Sequence, residues 1–295
     1  MIPLLVALVA PVAHAAPCEL LVDGMPDGPV PASFYDGGLG RAHAVCPRSE
    51  VGIGGSGYLV SDAANFYGHI VAGGVLDARV AVTPRFELYG ASELLRWDNA
   101  IGAISASWLG YGHTTLGANG IVLRQDTVVL AVNGKVVTPT AVGLYHGSWP
   151  VGVDVGLAGV WSKSEHFRAE AQLTMLGSAA ITAAASQPRF GVGVDTGVEW
   201  RPSKAFGLVA QLDAGMGYTA PLDHLAAGLG LRTRLGARGG LELGGVVPFA
   251  GRERALTSVA LRGSWRLGRV GEADDVPGAT PITPLDMPVV PKEGE

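Results

Sequence analysis

Apolar residues in this chain recur at every second position, stretch after stretch, from about residue 50 to residue 268. Over 68–83 one face carries Ile70, Ala72, Gly74, Leu76, Ala78, Val80 and Val82. The other carries His69, Asp77, Arg79 and Thr83, with small or apolar residues between. Neighbouring side chains point to opposite faces only in an extended strand, so the period fixes the element type. The same alternation sets Phe167, Ala169, Ala171, Leu173 and Met175 against Arg168, Glu170, Gln172 and Thr174. It sets Phe190, Val192, Val194, Val198 and Trp200 against Asp195 and Glu199, and Phe206, Leu208, Ala210, Leu212, Met216 and Tyr218 against Gln211 and Asp213. Near the end, Val259, Leu261, Trp265 and Leu267 oppose Arg262, Ser264 and Arg266, read with one slip of register near Gly263.

Placed in order, the strands fall at 51–60, 68–83, 86–97, 113–124, 127–138, 150–162, 166–177, 188–201, 205–218, 224–235, 239–248 and 255–268. Most have about 10–14 residues, enough for the roughly 9–11 that a tilted strand needs to cross a bilayer. Tight connections follow the second, fourth, sixth, eighth and tenth strands, whereas 98–112, 139–149 and 178–187 are long. Short turns alternating with long loops are the mark of an outer-membrane barrel, with the turns in the periplasm and the loops outside. An even strand number also puts both chain ends in the periplasm. The expected fold is therefore all-β: a closed antiparallel transmembrane β-barrel of about twelve strands spanning 51–270.

A soluble β-sandwich or lipocalin-like barrel also alternates, with its apolar face inward. Its exposed face would favour Thr, Lys and Glu, but here the polar face is crowded with glycine, and short Ala and Gly on the apolar face would pack a core poorly. Composition agrees with the membrane reading. The chain is 48% hydrophobic and only 16% charged, where a soluble domain carries about a quarter charged residues. Past the N-terminus no uncharged span approaches the about 18 residues of a membrane helix, and a net charge of −5 excludes a basic nucleic-acid-binding face.

Residues 1–16 (MIPLLVALVAPVAHAA) are apolar and end in Ala13-His14-Ala15, the pattern of a cleaved secretory signal peptide, although its n-region holds no Lys or Arg and the start codon is expected upstream. Pro3 and Pro11 argue against a buried helix there. Cys18 and Cys46 are the only cysteines, and an even count after a signal peptide implies one disulfide closing an N-terminal extension over 17–50. A lipid-modified Cys18 is the rival, opposed by Pro17 where lipidation needs a small residue. The Pro-rich, acidic stretch 271–295 reads as a disordered periplasmic tail, able to engage a periplasmic protein partner.

The stretch 110–140, GYGHTTLGANGIVLRQDTVVLAVNGKVVTPT, resembles the Gly-x-Gly-Asp…Leu-Gly…Leu-Pro-Thr-Gly pattern of a proteobacterial outer-membrane barrel family, that of the MetA-pathway of phenol degradation. Gly110, Gly112, Leu116, Gly117, Leu123, Pro139 and Thr140 follow the order of the pattern. His113 stands where Asp is usual and Ala141 where the final Gly is usual. The match covers about a tenth of the chain. It implies a transporter-like barrel passing small hydrophobic or aromatic compounds. The overall look is also similar to outer-membrane proteins of high-GC, myxobacterial-type genomes.

Three signals compete for chemistry. Gly52-Ile53-Gly54-Gly55-Ser56-Gly57 matches the dinucleotide fingerprint in form, but no helix can follow it, so strand glycines are the better reading. A barrel hydrolase would need Ser and His together at one strand end. His69, His113, His146, His166 and His224 are scattered, with Ser148 two residues from His146 the nearest approach, and no metal-ligand spacing occurs. The third signal is the polar face itself. Its acidic members are Asp77, Glu87, Glu93, Asp154, Glu170, Asp195, Glu199, Asp213 and Glu242; its basic members are Lys135, Arg79, Arg168, Arg232, Arg234, Arg262 and Arg266. Bases concentrate in the last three strands and several acids in strands two and three. Closure would then set a basic wall beside an acidic one, across a lumen whose passage is about 5–10 Å, or closed if ion pairs bridge it. On the lipid face, Phe86, Phe167 and Phe206 open strands while Trp161, Trp200 and Trp265 close them, the expected periplasmic half of an aromatic girdle. The sequence thus points first to a non-enzymatic, cofactor-free, porin-like channel for small solutes in the outer membrane of a Gram-negative bacterium. A plugged barrel anchoring a periplasmic or surface assembly comes second, and an outer-membrane hydrolase third.

Overall fold

Each strand has two unlike faces, and the arrangement of the strands decides which face meets solvent, lipid or protein. The computed structural model describes Cys18, residues 44–62, 67–101, 106–138, Thr140, 149–181, 188–217, 220–251 and 256–267. Thirteen strands occur in chain order: β1 (Glu50–Asp62), β2 (Tyr67–Thr83), β3 (Phe86–Ile101), β4 (Ala106–Gly110), β5 (Thr114–Arg124), β6 (Val128–Thr138), β7 (Trp149–Ser164), β8 (Phe167–Ile181), β9 (Arg189–Ser203), β10 (Phe206–Met216), β11 (His224–Leu235), β12 (Gly239–Ala250) and β13 (Leu256–Arg266). All pairings are antiparallel, and the single sheet closes on itself because β1 bonds both β2 and β13. β4 and β5 share one place in the wall. β4 pairs with the far end of β3 (Arg96 to Ala100) and β5 with its near part (Phe86 to Ser92). The wall is therefore a closed barrel of twelve positions.

Two expectations are corrected. The connection expected over 98–112 is partly strand, because β3 runs on to Ile101 and Ala106-Ser107-Trp108-Leu109-Gly110 pairs back onto it. The register slip expected near Gly263 is absent. β13 pairs without interruption from Glu50↔Arg266 to Val60↔Leu256 on one side, and past Gly263 with β12 on the other. A real irregularity lies in β3, where Gly74 faces Leu95 but Val75 faces Glu93, leaving Leu94 as an extra residue. That bulge puts Leu94 and Leu95 both outside and brings Glu93 and Arg96, three apart, both inside.

Three of the tight turns share one device. Thr83, Ser164 and Ser203 each end a strand, and their hydroxyl oxygens accept the backbone N–H two residues on, from Arg85, His166 and Ala205. A short hydroxyl side chain thus substitutes for the ladder bond lost at the turn. The β11–β12 turn uses Gly236 instead, at φ +72°, a conformation that favours glycine.

Burial is inverted relative to a soluble protein. Arg232, Glu87, Asn119, Thr174 and Asp154 are among the most buried side chains, while Leu229, Phe190, Met175 and Ile53 are about 70% exposed. The exposed apolar residues form a continuous belt on the outward parity of nearly every strand. Exposed patches on soluble monomers rarely exceed a few hundred Å², so this belt is a lipid-facing surface and the soluble sandwich is excluded. Leu229 sits at mid-strand in β11 and Leu235 at its tight-turn end. Leu229→Arg is expected to cost about 2–4 kcal/mol of unfolding free energy in lipid vesicles and Leu235→Arg about 0–1 kcal/mol, measured by denaturant titration of the two variants.

Candidate functional site

The inward residues of twelve strands face one enclosed space, so their charges are decided by who stands opposite. All sixteen charged residues expected on the polar face carry the inward parity. Most are buried, and Arg234 and Arg266 lie at the tight-turn rim. The Arg234 guanidinium turns back to donate to the Gly236 carbonyl at 2.6 Å.

Strand register brings opposite charges together. Arg232 is paired across the ladder with Glu242 and donates to it, and reaches Glu199 at 3.1 Å. Arg201 holds the same Glu199 with two bonds of 2.8 and 2.9 Å. This four-residue network ties β9, β11 and β12. A second one ties the seam: Arg262 on β13 donates to Asp77 on β2 at 2.6 and 2.9 Å and to Glu50 on β1 at 2.6 Å. The intervening strand permits this only through Gly52. A Cβ there would lie 2.6 Å from both the Arg262 guanidinium and the Asp77 carboxylate. The first glycine of the apparent dinucleotide fingerprint therefore clears a path for an ion pair across the lumen wall. Lys135–Asp154 at 3.2 Å and Arg79–Glu87 at 3.4 Å follow the same cross-strand logic, and Arg168–Glu170 and Arg96–Glu93 close at 3.8 Å. The expected confrontation of a basic with an acidic wall is thus largely resolved into ion pairs, because the last strand lies beside the first and Arg262 spans the join.

The lumen also holds something no strand supplies. Residues 44–49 precede β1 and cross the interior at the tight-turn end. Ser49 is fixed at the seam, its hydroxyl accepting from Ala81 N–H at 3.1 Å and its carbonyl from Leu267 N–H at 2.9 Å. Val45 lies four residues away, packed with Cys46 against Ile121, Val129, Ala131, Ala158 and Val160 on β5 to β7. Those strands stand three to five places from β1 in the twelve-place ring. Four extended residues span about 13 Å, enough to bridge the passage of about 5–10 Å that inward side chains leave in a backbone ring roughly 24 Å wide. Along the way Asn119 donates to the Val45 carbonyl at 3.0 Å and the Ala44 carbonyl at 3.3 Å. Arg79 donates to the Cys46 carbonyl at 2.6 Å, and Arg48 N–H donates to Glu87 at 3.0 Å. The expected disulfide is present: Cys18 and Cys46 are joined, with Cα atoms 5.4 Å apart, and Cys46 is completely buried. Beside Val45, the walls bearing Glu170, Gln172, Asp195, Gln211 and Asp213 enclose a cavity of about 10 Å³, room for about one water.

Five participants were not among the residues singled out from the sequence. Arg96 was hidden by the bulge at Leu94, which reverses parity within β3. Arg201 shares the parity of Glu199 but precedes Pro202 and so reads as turn. Arg48 and Glu50 belong to the stretch read as extension, and Asn119 carries no charge pattern. Of the histidines, His113 is buried beside the β4–β5 break, His166 contacts the Arg201 carbonyl in a turn at 2.8 Å, and His224 opens β11 against Gly215. His69 lies on β2; His146 and Ser148 lie outside the described residues, as do 1–16 and 271–295. Among the described residues no group of three His, Cys, Asp or Glu is placed to hold a metal ion. The six aromatics Phe86, Trp161, Phe167, Trp200, Phe206 and Trp265 are all exposed on the outer face at the tight-turn end, with Trp161 and Phe167 edge-to-face at 5.8 Å.

No family model and no curated protein matches the chain. Solved structures do. The COG4313 outer membrane channel from Pseudomonas putida F1 superposes with a TM-score of 0.57 at 14% identity, over 75% of this chain and 96% of that one. The fold is that of an outer-membrane β-barrel. The transport unit of the autotransporter AIDA-I from Escherichia coli follows with a TM-score of 0.50 at 10% identity, over 75% of this chain and 90% of that one. At these identities the likeness is one of architecture.

The Arg232 network makes a stability prediction. Arg232→Met leaves Glu242 buried without its cation, and removing one partner of a buried pair costs about 3–5 kcal/mol. Arg232→Met combined with Glu242→Leu is expected to recover most of that loss. Denaturant unfolding of both variants in lipid vesicles checks the order.

Proposed function

We propose that this barrel is a porin-like channel of a Gram-negative outer membrane, letting small solutes cross through a lumen whose charged lining sets selectivity. Its tight turns face the periplasm, and the chain reaches the membrane after export on residues 1–16. The observation that carries the reading is the use of a separate segment to fill the interior. Inward side chains of both signs are already paired along the wall, yet they leave a width that residues 44–49 are needed to bridge. A barrel serving only as an anchor would gain stability by filling that width with wall side chains. The lining mixes charged and polar groups with apolar ones, among them the patch under Val45 and the inward Val71, Val75, Val137, Val209 and Val246, so solutes meet both kinds of surface. Asp195 and Asp213, directly opposed on β9 and β10, and Lys135 with Asp154 are the lumen residues we assign to selectivity. The exposed aromatic rings at the turn end are assigned to the membrane interface.

Liposome swelling tests this. Vesicles carrying the refolded, signal-free protein are expected to swell in a pentose well above protein-free vesicles and to stay near the protein-free rate in a trisaccharide. Swelling no faster than protein-free vesicles in either sugar, both for this protein and for a folded variant lacking residues 17–47, would instead favour an anchoring barrel, with the tail 271–295 as the region to present to periplasmic proteins.

A further inference from the structure

Residues 44–49 occupy the lumen by contacts that are separable from those building the wall. The barrel ladder runs from strand to strand and closes through β1–β13 without them. On the N-terminal side of Ser49 the main-chain groups are held in another way, by wall side chains. Asn119 holds the Val45 carbonyl, Arg79 the Cys46 carbonyl, and Glu87 the Arg48 N–H. Each of these groups can exchange its partner for water once the segment moves, whereas a wall strand in lipid has no such exchange available. The seat is equally local. Val45 is buried against side chains no larger than isoleucine, in a patch set apart from the ion pairs around it.

Inward positions on neighbouring strands carry Arg, Glu, Asp, Lys, Asn or Gln, which water or a polar solute would satisfy. Ile121, Val129, Ala131, Ala158 and Val160 are inward too, and an open lumen would expose them to water at a cost of roughly 25 cal/mol per Å². Val45 and Cys46 pack directly on them and contribute to that burial, as the segment's position depends on them. The hinge is defined as well: Ser49 is clamped at the seam by Ala81 and Leu267, so motion begins on its N-terminal side.

From this geometry we infer that residues 44–49 are a releasable gate: seated, they close the channel near its tight-turn end, and unseating Val45 opens it. The inference rests on the channel reading above and adds what shuts the pore. The Cys18–Cys46 disulfide reports the gate's position, because Cys46 is wholly buried while the segment is seated. A trialkylphosphine with water converts that disulfide to two thiols, giving the phosphine oxide, and reaches the Cys46 sulfur only when the segment has left.

The test uses the full mature chain in planar bilayers and in vesicles. Val45→Asp puts a carboxylate into the apolar seat from the gate side, and Ala131→Asp does so from the wall side, at an inward position of a lumen that already holds acids. Heat-modified electrophoretic mobility shows that each variant is folded. Both are expected to raise the open fraction in potassium chloride at least about tenfold over the unsubstituted protein and to speed phosphine reduction of the disulfide by a similar factor. Folded variants with unchanged reduction rate and unchanged current would overturn the gate. Faster reduction with no current in any variant would overturn the gate and the channel reading together. An unsubstituted protein already as open as the variants would overturn the gate and leave the channel reading standing.

Discussion

Lipid offers no hydrogen-bond partner, and this single fact governs the structure. An open sheet in a bilayer would leave a row of unpaired N–H and C=O groups on each edge, each costing several kcal/mol. The β1–β13 pairing removes both edges at once. Closure in turn fixes the faces: one parity of every strand must meet hydrocarbon and the other must meet the interior. The outward Val, Leu and Phe and the inward Arg, Glu and Asp are consequences of where water is absent, and the inversion of burial follows without further assumption.

Closure also fixes a width. Twelve strands cannot draw together to collapse the interior as a core would, so inward groups must satisfy one another across it or leave room. Register does the first job: Arg232 with Glu242 and Lys135 with Asp154 are direct cross-strand partners. Long arginines extend it by one strand, which is how Arg262 reaches Asp77 over Gly52. Buried pairs of this kind contribute little net stability, yet breaking one is costly. They fix the register and leave the remaining space to residues 44–49. The same space is what a solute would use, so the closing segment and the transport reading are two views of one geometric fact.

Period-two alternation made the architecture legible in advance, because one rule places both the strands and their faces. Strand ends fall within a few residues of those read from pattern, and every charge placed on the polar face points inward. The misses have physical causes. The bulge at Leu94 adds one residue and reverses parity beyond it, which concealed Arg96, and β13 runs straight through Gly263 because its outward positions keep one parity on both sides of that glycine. β4 was unseen because five residues carry too short a pattern and gain their pairing only from the extended end of β3. The path of residues 44–49 left no periodic trace at all. Their conformation is set by contacts with Asn119, Arg79 and Glu87, residues far along the chain, and the inward apolar patch that receives Val45 reads locally as ordinary strand.

The outer face of this barrel meets lipid, and we propose that its exposed aromatic rings sit at the interface. Tryptophan quenching by brominated lipids reads this directly. Trp161, Trp200 and Trp265 are exposed at the tight-turn end and Trp97 toward the other end of the wall. In vesicles, lipids brominated near the headgroup should quench tryptophan emission strongly, and lipids brominated at the chain ends weakly. Emission indifferent to bromine at every depth would mean that the apolar belt is covered by protein or water, and the transmembrane account would fail.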